Sequence, residues 1–178
     1  MAELPLWVFG YGSLMWHPGF EHSETAIARL PGFQRSFCMR SIHHRGTVDE
    51  PGLVLALDKN PDANCEGLAF RVSTGFEEST IAYLRERELI SSAYLEAYLP
   101  VELRDGRQVQ VLTFVVDSDH VQYCHGIPLL EQAEIITAAH GGRGPNSEYL
   151  FSTMEHLRLL ELVDQDLEWL DGKVRELL

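Results

Sequence analysis

Apolar positions along the chain fall into two rhythms. Up to residue 72, short apolar runs at 7–9, 33–42, 53–57 and 67–72 are separated by Pro18-Gly19, Pro31-Gly32, Pro51-Gly52 and Pro61-Asp62. Runs of this length bounded by proline and glycine predict strands joined by turns. Thr74-x-x-Glu77 then spells a capping box and predicts an amphipathic helix reaching about Leu89. Two further strands are predicted at 94–103 and 108–116, rich in Val, Leu and aromatic residues, around the hairpin turn signal Asp105-Gly106. The remaining third reads as helical: one helix near 129–139, a Gly-rich break at 141–145, then helices from Ser147 to about Val163 and over 165–177.

No internal repeat, low-complexity linker or shift of composition divides this pattern, so a single domain over 1–178 is expected. Strands first and helices afterwards place it in the α+β class, with a curled or barrel-like mixed sheet and helices packed on it. Leu157, Leu159, Leu160, Leu162 and Leu167 make the last two helices strongly apolar. Packing within the chain is the first explanation, but a dimer face would spell the same way, and the oligomeric state stays open.

Composition narrows the partners. With 45% hydrophobic residues over 178 positions, the chain is long and apolar enough to bury a sizeable core. A formal charge of −13 argues against nucleic acid and anionic membranes and favours a small ligand or a protein. Cys38, Cys65 and Cys124 are odd in number and form no Cys-x-x-Cys pair, so free structural thiols in a reducing compartment are expected. The beginning of the chain, with Glu3 and Pro5, does not read as a signal peptide, and no uncharged run nears the roughly 20 residues of a membrane helix. A cytoplasmic, soluble protein is expected. The eight histidines show no metal-binding spacing, and no metal site is expected.

Chemistry enters at Trp7-Val8-Phe9-Gly10-Tyr11-Gly12-Ser13-Leu14, a buried-strand signal that runs into two glycines and a serine. Glycine permits backbone conformations and close approaches that a side chain forbids, so successive amides here can form a cradle for a carboxylate or an amide oxygen. A tight turn with no ligand would be spelled identically. Better-known glycine motifs are excluded: Met15 stands where a dinucleotide fingerprint needs its third glycine, and no Gly-Lys-Ser/Thr follows. Tyr11 and Met15 occupy the positions where a nucleophile elbow would need glycine, so Ser13 reads as a ligand and not a nucleophile.

The helix beginning near Phe76 carries a second candidate. At about 100° per residue, Phe76, Ile81 and Leu84 define an apolar arc of about 140°, and Glu88 falls inside it while Glu86 is turned away by about 160°. Glu77 also points near the arc but is occupied by the capping box. A lone carboxylate there is ordinarily paired with an arginine, and Arg85 and Arg87 stand beside it. The alternative is chemical: partial burial and the helix C-terminus both disfavour the anion, which suits Glu88 to accept and return a proton.

Read together, Phe9-Gly10-Tyr11-Gly12-Ser13-Leu14, Trp16-x-Pro18-Gly19-Phe20, His44-Arg45-Gly46, Tyr83-Leu84-x-x-Arg87-Glu88 and Asn146-x-Glu148-Tyr149-Leu150 resemble the ChaC-like γ-glutamylcyclotransferases, in order and spacing over nearly the whole chain. The resemblance implies a γ-glutamylcyclotransferase-like fold and a lyase that converts glutathione to 5-oxoproline and Cys-Gly without a cofactor. It implies that Val8, Phe9, Gly10, Tyr11, Gly12, Ser13 and Leu14 receive the γ-glutamyl group and that Glu88 is the catalytic base. Arg45 is a candidate for pairing a glutathione carboxylate and Tyr149 for placing a phenol in the pocket, against the plainer readings of an ion pair and a core aromatic. Asn146 is expected to help cap the helix that follows it. Residues 89–93 match no family signature. Two alternatives stay open: a cyclotransferase for other γ-glutamyl amines or peptides, and a non-catalytic γ-glutamyl-binding regulatory module.

Overall fold

The computed structural model describes residues 4–89 and 93–178; Ile90, Ser91 and Ser92 of the unmatched loop, and Glu3, lie outside the described residues. Contacts divide the chain into two compact units, one of the residues up to Arg35 with Leu57–His120, the other of Ser36–Ala56 with Val121–Leu178.

The first unit is built on a closed barrel. Its strands are β1 (Trp7–Gly10), β2 (His22–Ser41), β3 (Gly52–Val72), β4 (Tyr94–Leu103) and β5 (Gln108–Val116), in the order β1-β3-β2-β4-β5. β1 closes the ring: it lies antiparallel to β3, with Trp7 opposite Arg71 and Gly10 opposite Leu68, and parallel to β5, with Val8 opposite Leu112. A strand covered on both faces needs an unbroken apolar run, which is what Trp7-Val8-Phe9 supplies. Trp7 and Phe9 join Leu30, Leu57, Ala69, Leu103 and Val111 in a core cluster that draws on all five strands. Val8 faces the other way, into a cluster with Leu14, Leu112, Phe114 and Leu84 of helix α1 (Glu77–Glu88). The β4–β5 hairpin follows the expected limits, with Tyr94 opposite Val116 and Gly106 at φ 93° in the turn.

Three local expectations fail in this unit. Pro31-Gly32 and Pro61-Asp62 do not end strands but lie within β2 and β3, so the three predicted runs at 33–42, 53–57 and 67–72 fall on two long strands, and residues 22–32 are strand as well. A proline removes one N–H donor, which a bulged strand tolerates; Gly32 sits at φ 83°, and Asn60 Oδ1 accepts a local bond of 3.1 Å from the Asp62 amide. The capping box does not form, because α1 has no side-chain cap and Glu77 Oε2 instead accepts from the Gly75 amide at 2.8 Å. Phe76 is 46% exposed and lines an open groove of about 410 Å³ with Ser79 and Tyr83, so Thr80 takes its place on the buried face of α1 beside Leu84.

The second unit holds the far ends of β2 and β3, helices α2 (Leu129–Ala138), α3 (Asn146–Leu159) and α4 (Gln165–Leu177), and a short ladder of β6 (His140–Gly141) with β7 (Gly144–Pro145) in the Gly-rich break. Asp164 caps α4 by accepting from the Leu167 amide at 3.1 Å, fixing the helix at its expected limits. Leu157, Leu162 and Leu167 are buried within the unit, whereas Leu159 is exposed. Asn146 does not cap α3. It is itself the first helical residue, and its buried amide donates to the Leu53 carbonyl and accepts from the Leu53 amide, both at 2.8 Å.

Candidate active site

β1 delivers the chain into a single 3-10 turn, Ser13–Met15, in which the Met15 amide donates to the Gly12 carbonyl at 2.9 Å. Met15 is the first amide to donate inside the turn, as the start of any short helix dictates. The two glycines differ in purpose. A Cβ on Gly10 would stand 2.9 Å from Leu14 Cβ, so Gly10 is required by packing, whereas a Cβ on Gly12 would meet nothing within 4 Å. Gly12 therefore opens onto empty space, and neither glycine has the positive φ found at Gly19, Gly32 and Gly106. Below the loop, Val8 and Phe9 are fully buried, and Leu14 is held among Val8, Leu84 and Phe114; Ser13 is exposed. The buried Arg35 fastens the loop from behind, its Nε donating to the Tyr11 carbonyl at 2.6 Å and its Nη2 to the Glu66 carbonyl.

Glu88, the last residue of α1, lies on the inner side of the helix as its phase requires, with 19% of its side chain exposed; Glu86 is solvated. Burial raises the Glu88 pKa above the ordinary carboxylate value, and Arg87, whose Nε stands 3.4 Å from Glu88 Oε1, opposes the rise without cancelling it. Arg85 takes no part in this, being paired with Glu96 at 2.8 Å.

Arg87 is the residue that sequence reasoning passed over as a site component. Its Nη1 donates to the His17 carbonyl at 2.6 Å and to the Tyr83 hydroxyl at 3.1 Å, and its Nη2 donates to Ser13 Oγ at 3.0 Å. One guanidinium thus touches the glycine loop, the His17 and Pro18 carbonyls and the Glu88 carboxylate, drawing three of the five motifs into a single constellation. The available signal was the Tyr83/Arg87 spacing, since residues four apart share a helix face. Gly19, at φ 75°, leaves no room for a side chain beside the Tyr83 hydroxyl.

The other two motifs meet in the second unit. Arg45 Nη1 donates to the Pro145 carbonyl at 3.1 Å, lies 3.8 Å from Glu148 Oε2, and carries its guanidinium 5.7 Å from the centroid of the Tyr149 ring. The Tyr149 hydroxyl accepts from the Leu55 amide at 3.1 Å, and its ring meets Phe37 edge-on. The segment between them approaches very closely. A Cβ on Gly52 would collide with the Arg45 carbonyl and stand 2.7 Å from Asn146 Oδ1. Desolvation, with Arg143, His43 and Arg45 nearby, lowers the His44 pKa.

A ChaC-like protein family model matches residues 6–177. The chain belongs to the ChaC-like family. Among its relatives, a glutathione-specific γ-glutamylcyclotransferase of Escherichia coli is 38% identical over 99% of this chain and 75% of its own length. One of Schizosaccharomyces pombe bearing the same name is 35% identical over 98% of this chain and 94% of its own. A crystal structure of a γ-glutamyl cyclotransferase specific to glutathione from yeast superposes with a TM-score of 0.85 at 22% identity, covering 98% of this chain and 97% of the other. That likeness establishes the γ-glutamylcyclotransferase-like fold, α+β with a closed barrel, expected from the motifs. Among the described residues no three His, Cys, Asp or Glu side chains gather as metal ligands would, and no helix is long and apolar enough to cross a membrane.

Proposed function

We propose that this ChaC-like protein degrades glutathione by intramolecular cyclisation, releasing 5-oxoproline and Cys-Gly, with Glu88 as general acid and base. The observation that carries the reading is the partly buried carboxylate of Glu88 tied through Arg87 to the loop over residues 11–14. Glu88 takes a proton from the α-ammonium of the γ-glutamyl group. The freed amine attacks its own γ-carbonyl, the C–N bond to cysteine breaks as the five-membered lactam closes, and the cysteinyl nitrogen leaves as an ammonium, taking one proton back from Glu88 and the second from the ring nitrogen, which keeps a single hydrogen. A carboxyl whose pKa burial has raised is better matched to both transfers than an ordinary one. Nucleophile and electrophile share one molecule, so the protein needs only to hold the folded rotamer, which we assign to the amides and open face of residues 11–14, above the floor of Val8, Phe9 and Gly10.

Arg45 and Tyr149 enter this reading as a subsite for a substrate carboxylate, supported by an Arg45 side chain that is 16% exposed and set by a carbonyl and a ring. The reading takes residues 1–178 as one γ-glutamylcyclotransferase domain, in keeping with the span of the family match, and places the protein in the cytoplasm, in keeping with its thiols. The test is release of 5-oxoproline from glutathione and from a panel of γ-glutamyl dipeptides. Glutathione is expected to be turned over fastest; turnover confined to other γ-glutamyl compounds replaces the substrate, and binding without turnover leaves a regulatory module. Glu88→Gln should lower turnover by about 10²–10⁴-fold and Glu86→Gln should do little; the reverse pattern removes Glu88 from its role.

A further inference from the structure

Two of the three cysteines stand opposite one another. In the second unit, Met39 of β2 and Tyr123 form an isolated antiparallel bridge, flanked by the Arg40 amide donating to the Gln122 carbonyl at 2.8 Å and the Cys124 amide donating to the Cys38 carbonyl at 2.7 Å. That register sets Cys38 directly across from Cys124, as Arg40 is across from Gln122. Residues directly opposite on an antiparallel ladder project to the same face, and the bonded kind of pair has Cα atoms about 5.5 Å apart. Disulfides span Cα separations of about 4.4–6.8 Å. The Gln122 side chain adds a bond of 2.9 Å to the Arg40 carbonyl, which holds the register two residues from the pair. The two thiols are unequal in access, since Cys38 is 3% exposed and Cys124 is half-buried, and neither is in a disulfide.

We propose that Cys38 and Cys124 form a redox-active dithiol that is oxidised by low-molecular-weight disulfides to a cross-strand disulfide. The accessible Cys124 thiolate attacks one sulfur of the small disulfide RSSR, forming a mixed disulfide and releasing the first RS⁻. The Cys38 thiolate then attacks Cys124 Sγ, the Cys124–SR bond breaks, and the second RS⁻ leaves. The two protons given up by Cys38 and Cys124 end on the two RSH molecules, so the protein loses two electrons and the small disulfide gains them. Cys38 is the resolving residue, and its burial confines the first attack to Cys124. The bond would tie the segment at 122–124 to β2 covalently. The proposal is independent of the cyclotransferase reading, although oxidised glutathione belongs to the same class of oxidant.

The experiment uses 2-hydroxyethyl disulfide, which carries no γ-glutamyl group, on the whole native protein, followed by alkylation, mass measurement and peptide mapping. Wild type is expected to lose two hydrogens, to yield a peptide pair linking Cys38 to Cys124 while Cys65 is alkylated, to melt at a higher temperature, and to revert with dithiothreitol. Cys38→Ala, checked for folding by its own melting curve, should stop at a stable hydroxyethyl adduct on Cys124. Cys124→Ser keeps the test open should Cys38→Ala not fold, and it should resist oxidation altogether. A stable adduct on Cys124 in the wild type, a link involving Cys65, or no reaction at Cys124 each overturns the proposal.

Discussion

Replacing Arg87 by methionine removes two effects that the structure joins in one side chain, and they separate by pH. The guanidinium Nε lies 3.4 Å from Glu88 Oε1, and both side chains are 19% exposed. A charge pair at that distance is worth about 5 kcal/mol at an effective dielectric of about 20 and about 1 kcal/mol in bulk water, and this partly buried pair falls between those limits. Arg87 holds the Glu88 pKa down against burial, so without it the pKa rises further. The base form is then lost at a higher pH, and the acid limb of kcat/KM moves upward. The neutral part of the loss comes from the bonds to the His17 carbonyl and Ser13 Oγ, each worth about 1.5–3 kcal/mol as a bond to a charged group, and it falls on binding at every pH. Arg87→Lys keeps the charge but not the planar fork. Its acid limb should stay near that of wild type while KM rises. The assay is 5-oxoproline release from about pH 5 to about pH 9, a range that brackets a raised carboxyl. A limb that is unmoved or lowered in Arg87→Met, or moved equally in Arg87→Lys, refutes the electrostatic half of the argument.

The remaining predictions concern neighbouring residues. Gly12→Val should weaken binding of a non-reactive γ-glutamyl analogue far more than it lowers the melting temperature, because its side chain projects into open space; unchanged affinity places the substrate elsewhere. Glu88→Gln should raise the melting temperature at neutral pH, since a carboxyl with a raised folded pKa destabilises the fold once both folded and unfolded states are ionised. That gain should vanish below the ordinary carboxylate pKa of about 4.3, where the group is protonated in both states, and a gain independent of pH would show another cause. Arg45→Met should cost glutathione about one to two decades in kcat/KM, the worth of a bond to a charged group, and cost much less for a γ-glutamyl amine lacking the glycine carboxylate. Equal losses for the two substrates would assign Arg45 to the scaffold it already touches at Pro145 and Glu148.

Much of this architecture was legible because local and tertiary demands agree. β4 and β5 are delimited by an Asp-Gly turn whose glycine occupies φ 93°, and α4 by an aspartate that caps it. The misreadings arise where one residue serves a distant partner. Asn146 is spelled like a cap, but its amide is spent on both backbone groups of Leu53, because a buried strand edge with an unmet donor and acceptor costs more than an uncapped helix end. Pro31 and Pro61 look like strand ends because sequence shows the lost N–H but not whether a ladder needed it. The turns expected there would have hidden how far β2 and β3 run.

The candidate site divides along the same line. Glu88 and Glu86 were separable because helical phase is a property of α1 alone, and phase turns a carboxylate inward or outward whatever else the fold does. Phase sets Arg87 beside Tyr83 but does not reveal its reach, which carries the guanidinium to carbonyls at His17 and Pro18, some seventy positions earlier in the chain. Reach of that kind is fixed only once β1, the 3-10 turn and α1 are packed through Val8, Leu14 and Leu84. The apolar spelling of those three positions is thus what sets the distance between loop and carboxylate, and Arg87 spans a gap that the core has already determined. A core substitution such as Leu84→Ala, which touches no polar group of the site, should therefore disturb the acid limb as well as stability. It enlarges the space that the guanidinium must bridge to keep Ser13 and Glu88 on one cation.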